Sequence, residues 1–471
     1  MPVSFFNTMT RAVEPFVPIE EGVVRMYTCG PTVYDFAHIG NFRTYAFEDL
    51  LRRYLKYRGY RVIQVMNITD IEDKIIKKHL ATGRPVDEIT APYIQAFHDD
   101  LKTLRIEPAE EYPRATHFVD EMVTIAKGLL AKGYAYRSED GSIYFNIRKF
   151  EGYGALAHFK VDELVAGARV KQDEYEKESA SDFALWKAWD PQDGEVFWET
   201  ELGKGRPGWH LECSAMSMHY LGRHFDIHTG GEDNIFPHHE NEIAQSEGYT
   251  GEKFVNYWLH SRHLLVEASK MSKSKGNFYT LRQLLEEEGK PWYAIRYLYI
   301  GSHYRSQINF TLDGLDAAAR TVKNVYDFLE RLRDYLHGAG DETPVVREKV
   351  ARARADFEAA MDDDLNSSRA LAALHTLRGE ANEWIAAGTL SGADARAIAD
   401  LFVSLDAVLG LELVDHLKEE NPDDWVEAAI QARKDARASK DWARSDEIRA
   451  ELAAKGILLE DTPQGVRWRR A

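Results

Sequence analysis

Residues 23–67 constrain the chain most, because they read as strand, helix and strand in immediate succession. VVRMYTC (23–29) is rich in strand-favouring residues and ends at the turn Gly30-Pro31-Thr32. HIGNFRTYAFEDLLRRYLKYRGY (38–60) then places Ile39, Phe42, Ala46, Leu50, Leu51, Tyr54 and Leu55 at helical spacing. RVIQVMN (61–67) reads as the second strand. Such a unit makes a parallel pair with a right-handed crossover, and parallel sheets carry chemistry at the carboxyl ends of their strands. Cys29 and the first residues of the helix therefore fall at one edge of an expected pocket.

From about Tyr112 to Leu202 the sequence is turn-rich, at Asp140-Gly141, Gly152-Tyr153-Gly154 and Gly167. It lacks a second strand–helix repeat and reads as an insertion. The sheet pattern resumes at HFDIHTG (224–230), and FVNYWLH (254–260) and HLLVE (263–267) continue it. Beyond about Leu315 the chain turns to helices rich in Ala, Arg, Glu and Leu, the first over 315–336. HGAGDETP (337–344) is a linker, and the helical pattern then runs to about Leu409. A smaller α/β tail closes with GILLEDTPQGVRWRR (456–470). A length of 471 residues suits about three domains of roughly 150 residues each.

Charge and cysteine content exclude several classes. A net charge of −18 argues against a histone-like, purely electrostatic nucleic-acid binder but leaves room for a local basic groove. Two cysteines make no disulfide framework and favour a reducing compartment. No basic segment followed by an apolar core opens the chain, and no apolar run approaches the ~20 residues of a membrane span. A cytoplasmic location is expected.

Three constellations carry chemistry. A helix starting at HIGN (38–41) offers free backbone N–H groups and a favourable dipole to a phosphate, with a glycine for close approach and His38 as donor. Alone this is weak, since a histidine before a helix is more often a cap or a core residue. KMSKS (270–274), followed by Lys275-Gly276-Asn277, puts lysines on a polar loop after a strand. There they would stabilise charge building on a pyrophosphate leaving group, although most lysine–serine runs are solvated surface. The third concerns metal. The two cysteines, Cys29 and Cys213, are joined by FPHHENEIAQSEG (236–248), which reads as a helix with His238 and Glu242 on one face. Cysteine, histidine and carboxylate all bind zinc, but no close CxxC pair is present and isolated cysteines are usually small buried hydrophobes. Spacing does not choose between His238 and His239.

HIGN and KMSKS on one parallel-sheet pattern resemble the HIGH and KMSKS signatures of class I aminoacyl-tRNA synthetases. Longer segments narrow the likeness. CGPTVYDFAHIGN (29–41), NITDIEDKII (67–76), GKGRPGWHLECSAMS (203–217) and GGEDNIFPHHENEIAQSE (230–247) are similar, in order and spacing, to the cysteinyl-tRNA synthetase family. So are KMSKSKGNF (270–278), MDDDLN (361–366) and KDWARSDEIRAELAAKGILLEDTPQGVRW (440–468), and the likeness spans essentially the whole chain.

The resemblance implies an α/β fold, with a Rossmann-like parallel-sheet catalytic domain (1–111 and 203–315) and an inserted connective domain for the acceptor end (112–202). A helical bundle that binds tRNA (316–410) and a small C-terminal anticodon-binding domain (411–471) complete it. It implies activation of L-cysteine by ATP with Mg2+, transfer to the 3′ end of tRNA(Cys), and a monomer. It assigns a zinc ion to Cys29, Cys213, His238 and Glu242, and places Gly30, Thr69 and Trp209 at the bound cysteine. His38, Gly40, Asn41, Gly230, Gly231, Asp233 and Lys273 match ATP-site positions, and His38, Asn41, Lys270 and Lys273 take the catalytic roles. Asn41 departs from the class-wide histidine; it can still donate a hydrogen bond, but no protonation-dependent role carries over. In the tail, Trp442, Arg444, Arg449, Trp468, Arg469 and Arg470 suit stacking on unpaired bases and neutralising phosphates. The bland alternative is core tryptophans with a solvated arginine rim.

Zinc has a physical rationale in such an enzyme. An apolar pocket rejects a near-isostere such as serine only by roughly 10²-fold. A thiol, with a pKa of about 8.5, ionises readily on zinc, whereas an alcohol ionises far less readily. Selection in the first step makes an editing domain unnecessary. The related ligase of mycothiol biosynthesis also activates cysteine but lacks the full tail, and a nucleotidyltransferase with similar signatures would not need the four ligands.

Overall fold

The computed structural model describes residues 2–161, 182–270, 277–418, 424–462 and 465–470. Val23–Thr28 and Arg61–Met66 pair in parallel along their full length, and the helix Ile39–Tyr57 is their crossover. Phe225–Gly231 pairs with the other side of Val23–Thr28, and Val255–Ser261 pairs with Phe225–Gly231, both in parallel. The resulting order is 255–261, 225–231, 23–28, 61–66. From its two central strands the chain proceeds outward in opposite directions, so their carboxyl ends border the switch-point crevice where such sheets bind ligands. Tyr27 and Val65 enter a core with Leu211, Met216, Phe225, Ile243 and Trp258, while Met66 joins Ile39, Phe42, Ala46 and Ile295 in another.

HLLVE (263–267) does not continue this sheet, which corrects the sequence expectation. Leu264–Val266 pairs in parallel with Ile308–Phe310 and antiparallel with Ser269–Lys270 in a separate three-stranded sheet. The reversal between Val266 and Ser269 uses left-handed backbone at Glu267 (φ 48°) and Ala268 (φ 57°). Neither residue is the glycine, asparagine or aspartate that marks such a tight turn in a sequence.

In the insertion, helix Val119–Ala131 packs on helices Trp209–Leu221 and Glu240–Thr250. Five short strands follow in an antiparallel sheet ordered 135–137, 143–145, 183–188, 203–207, 198–200. A division at residue 202 therefore cuts this sheet between two paired strands.

The helices Leu312–Arg333, Pro344–Asp362, Ser367–Ala387 and Gly392–Leu409 each start on a side-chain cap, from Thr311, Thr343, Asn366 and Ser391. The first starts before Leu315 because Thr311 is its cap. MDDDLN has a tying role. The carboxylate of Asp364 accepts hydrogen bonds from the Phe6 N–H (2.8 Å), the Tyr304 hydroxyl (2.6 Å) and Arg305 Nε (2.7 Å). Val414–Ala471 is a separate compact unit, with helices Asp424–Ala438 and Trp442–Ala454, a hairpin of Ile457–Thr462 and Gly465–Arg470, and a core of Val426, Ile448, Leu452 and Ile457.

Candidate active site

The switch-point crevice is a cleft of about 350 Å³, with Cys29, Gly30, His38, Gly40, Asn41 and Trp209 among its walls. Gly231, Asp233, Asn234, Ser261 and Arg262 also line it. Each comes from the end of a strand or the start of a helix, where side chains and backbone groups converge on the sheet edge. His38 caps the helix Ile39–Tyr57: its Nδ1 accepts the Asn41 N–H (3.2 Å), and Asn41 Oδ1 accepts the His38 N–H (3.0 Å). The cap and the phosphate-facing helix start are thus one feature, with the asparagine completing a reciprocal box. His38 also meets Phe278 edge-on at 5.4 Å.

Cys29, Cys213, His238 and Glu242 offer ligand atoms that all lie within 4.8 Å of one another. FPHHENEIAQSEG is not one regular helix: Phe236 has extended backbone (φ −136°, ψ 129°), and the α-helix proper begins at Glu240. Even so, His238 Nε2 reaches Glu242 Oε1 at 3.1 Å. A second set, Cys29, His228, His239 and Glu242, converges equally closely. In it, His228 Nε2 is paired with Glu242 Oε2 at 2.9 Å, and His239 lies between Cys29 Sγ (3.2 Å) and His260 Nε2 (2.8 Å). Buried Glu242 Oε1 has no hydrogen bond among the described residues, as expected of an oxygen that faces a cation.

Electrostatics fit the same reading. Burial pushes the Glu242 carboxyl up to about 7 and the His238 imidazole down to about 3. A hydrogen bond with Cys213, and burial, push the Cys29 thiol well above its usual range. Such a group of neutral imidazole, thiols and carboxyl is costly to ionise alone, and a bound cation reverses that preference.

The sequence-expected residues do not all fall on the cleft. Gly30 and Trp209 line it, and the Trp209 ring, 46% exposed, lies 4.9 Å from that of His238. Thr69 is buried behind Gly30 in a hydrogen-bonded chain through Asn67. Gly231 and Asp233 are walls, whereas Gly230 packs against the His239 ring so closely that a Cβ there would come within 2.9 Å of it. Lys270 lies in the strand Ser269–Lys270, and Lys273 lies outside the described residues. In the tail unit Trp442 is 58% exposed and Arg449 is exposed. Arg444 pairs along its own helix with Glu447 (2.5 Å) and Glu451 (3.2 Å). Trp468 packs on the small core and donates Nε1 to Glu427 (2.7 Å). The hairpin strand Gly465–Arg470 contains Arg469, whose side chain lies outside the described residues, as does that of Arg470.

Sequence reasoning weighed His239 only as an alternative to His238 and missed His210, His228 and His260; all four are buried around the ligand set. Its one available signal was a histidine inside each of two otherwise apolar strands, HFDIHTG and FVNYWLH.

A four-stranded parallel sheet with its cleft at the switch point and HIGN at the helix start, together with the sequence KMSKS that begins at Lys270, define a class I aminoacyl-tRNA synthetase. Solved structures with this fold include Mycobacterium tuberculosis methionyl-tRNA synthetase in complex with methionyl-adenylate, at 16% identity and TM-score 0.63, covering 84% of this chain and 92% of that one. The ternary complex of Agrobacterium radiobacter K84 agnB2 LeuRS, tRNA and LeuAMS aligns with TM-score 0.60 at 12% identity, covering 86% of each chain. Residues 15–320 match the family described as tRNA synthetases class I (C) catalytic domain, 356–414 the DALR domain, and 423–469 the cysteinyl-tRNA ligase anticodon binding domain. Cysteine–tRNA ligase of Protochlamydia amoebophila is 46% identical over 475 residues, covering 100% of this chain and 98% of that protein. The Brachyspira hyodysenteriae enzyme of the same name is 47% identical, covering 99% of each. The chain belongs to the cysteine–tRNA ligase family, whose members are aminoacyl-tRNA synthetases.

Proposed function

We propose that this chain activates L-cysteine with ATP and Mg2+ to cysteinyl-adenylate and pyrophosphate, then transfers the cysteinyl group to the 3′ end of tRNA(Cys), with zinc held by Cys29, Cys213, His238 and Glu242. The carrying observation is the convergence of those four ligands at the wall of the cleft, which Cys29 lines together with Trp209, His38 and Asn41. Two thiols suit zinc better than one, and the bonds of His228 and His239 suit partners that orient Glu242 and Cys29. When bound, zinc supplies a soft partner for the substrate sulfur that an alcohol matches poorly.

The other residues act by alignment. Gly30 and Trp209 shape the amino-acid side of the cleft, with Thr69 supporting Gly30 from behind. His38, Gly40 and Asn41 face the nucleotide phosphates, Gly231 and Asp233 form the adenosine side with Gly230 supporting them from behind against His239, and Lys270 and Lys273 stabilise charge as pyrophosphate departs. The insertion over about 112–202 receives the acceptor end, the helices over 316–410 carry the tRNA body, and the tail after 411 reads the anticodon, with Trp442 and Arg449 the exposed candidates. Arg444 and Trp468 join that face when tRNA replaces their pairing with Glu447, Glu451 and Glu427, and the resemblance assigns Arg469 to it. No helix among the described residues is long and apolar enough to cross a membrane, and we place the enzyme in the cytoplasm as a monomer.

The test is charging of purified tRNA(Cys) with cysteine and with serine, with zinc quantified on the same sample. Cysteine-specific charging by a zinc-containing protein is expected. Equal charging of serine, or full activity in metal-free protein, contradicts the assignment.

A further inference from the structure

His239 stands beside the proposed metal ligands with both of its ring nitrogens engaged. Its Nε2 lies 3.2 Å from Cys29 Sγ, and its Nδ1 lies 2.8 Å from His260 Nε2. His260 Nδ1 in turn lies 2.8 Å from the Thr8 hydroxyl. Both imidazoles are buried. A metal ligand is thus connected to the turn that follows the strand Ser4–Asn7, ahead of the 15–320 segment that matches the class I catalytic family.

The donors and acceptors of this chain allow one assignment. A thiolate that ligates a cation can only accept, so His239 Nε2 carries the proton. A neutral imidazole donates at one nitrogen and accepts at the other, and a positive charge on a buried ring next to a divalent cation is unfavourable. His239 Nδ1 therefore accepts from the His260 Nε2–H. Burial pushes the His260 imidazole down to about 3, so this ring is neutral as well and its Nδ1 accepts. The donor there is the Thr8 hydroxyl.

The backbone of Thr8 is fixed at both of its polar groups. Its N–H donates to the Trp258 carbonyl at 2.8 Å, and Nε2 of His158, from the insertion, donates to the Thr8 carbonyl at 2.9 Å. Trp258 and His260 belong to one strand, Val255–Ser261. The strand that carries the imidazole therefore also carries the acceptor that holds its partner.

We propose that Thr8 is a positioning residue for the metal centre: its hydroxyl fixes the tautomers of His260 and His239, so that His239 donates a hydrogen bond to the Cys29 thiolate. That bond stabilises the charge on sulfur and keeps the side chain in its ligating orientation. The proposal rests on the reading that Cys29, Cys213, His238 and Glu242 hold the zinc.

The test compares full-length wild type, Thr8→Val and Thr8→Ser. Zinc affinity is measured by competition with a chromophoric chelator, and the absorption of the cobalt(II)-loaded forms is recorded. Valine keeps the shape and removes the donor, whereas serine keeps the donor. Removing a partner of a ligand costs roughly 10- to 100-fold in metal affinity; Thr8 acts through two rings, so Thr8→Val should cost about 3- to 10-fold and Thr8→Ser less than about twofold. In Thr8→Val the sulfur-to-cobalt charge-transfer band should move to lower energy, because a thiolate deprived of its donor holds its electrons less tightly. An unchanged affinity or an unmoved band in Thr8→Val, or equal losses in the two variants, overturns the proposal. If Thr8→Val does not fold, Thr8→Ala decides by the same two readouts. Cys213→Ser separates the two readings: if it binds zinc as tightly as wild type, the metal assignment fails whatever Thr8 does.

Discussion

Cys213 is buried against Cys29, where an oxygen ligand would be harder and far less readily ionised than sulfur. Cys213→Ser is therefore expected to lower zinc content and cysteine-dependent ATP–pyrophosphate exchange together. Metal analysis alongside the exchange assay checks this, and unchanged zinc with lost exchange would assign Cys213 another role. A second residue bears on pH. Asp100, buried on the helix Val86–Thr103, has its carboxyl pushed up to about 6 by burial, although Arg282 Nε lies 3.2 Å away. In the unfolded chain it titrates near about 3.9. Between about pH 4 and 6 the folded state holds a proton that the unfolded state has released, so this group's contribution to stability falls as the pH rises through that window. Asp100→Asn should remove that slope, gaining about 1 kcal/mol relative to wild type from pH 4 to 6.5 once solvent screening of the Arg282 pair is allowed for. Thermal unfolding at several pH values reads the difference, and a constant offset across the window would contradict it.

Among elements, the segment that follows Ser269–Lys270 in the sequence bears on the chemical step. Lys273→Ala is expected to cost about 2–4 kcal/mol of transition-state stabilisation, as for the loss of one oxyanion donor. The effect should appear in kcat and kcat/KM together, measured by single-turnover adenylate formation, and a rise in KM alone would contradict the role. The central elements were legible from sequence because their periodicity survives intact. Ile39, Phe42, Ala46, Leu50, Leu51, Tyr54 and Leu55 are all buried on one helix, and the strands on either side pair in parallel. What stayed hidden depends on partners distant in the chain. Leu264–Val266 reads like any buried strand, and nothing local says that it pairs with Ile308–Phe310 rather than the main sheet. His228 and His260 look like satisfied core histidines until Glu242 and His239 are brought beside them. Motifs supplied the four ligand residues, but the polar chain from Gly30 to Glu212 spans three separate segments and has no signature in any one of them.

At the scale of the whole molecule, the division between catalysis and tRNA reading can be tested by removing the tail, and the structure dictates where to cut. From sequence the natural cut falls after about Gly410. Leu411 and Leu413 are nevertheless buried, and Asp406 accepts both of their N–H groups, at 2.7 and 2.8 Å. The Tyr326 hydroxyl donates to the Leu411 carbonyl at 2.8 Å, and Glu412 pairs with Arg105. Cutting at residue 410 would strip these contacts from the larger unit and confuse misfolding with lost recognition. The chain divides into its two compact units between Leu413 and Val414, so the informative protein ends at Leu413. All four proposed zinc ligands and both signature motifs precede that point. Cysteine-dependent ATP–pyrophosphate exchange should therefore persist, with zinc content unchanged, while charging of tRNA(Cys) falls by orders of magnitude through weaker binding. Binding of tRNA by the intact chain should weaken steeply with added salt, because neutralised phosphates release counterions. Trp442→Ala in the intact chain should reproduce part of the loss, by about 1–3 kcal/mol if a base stacks on that ring. If the shortened protein charges tRNA as well as the full chain does, the tail is a structural appendage and the anticodon is read elsewhere.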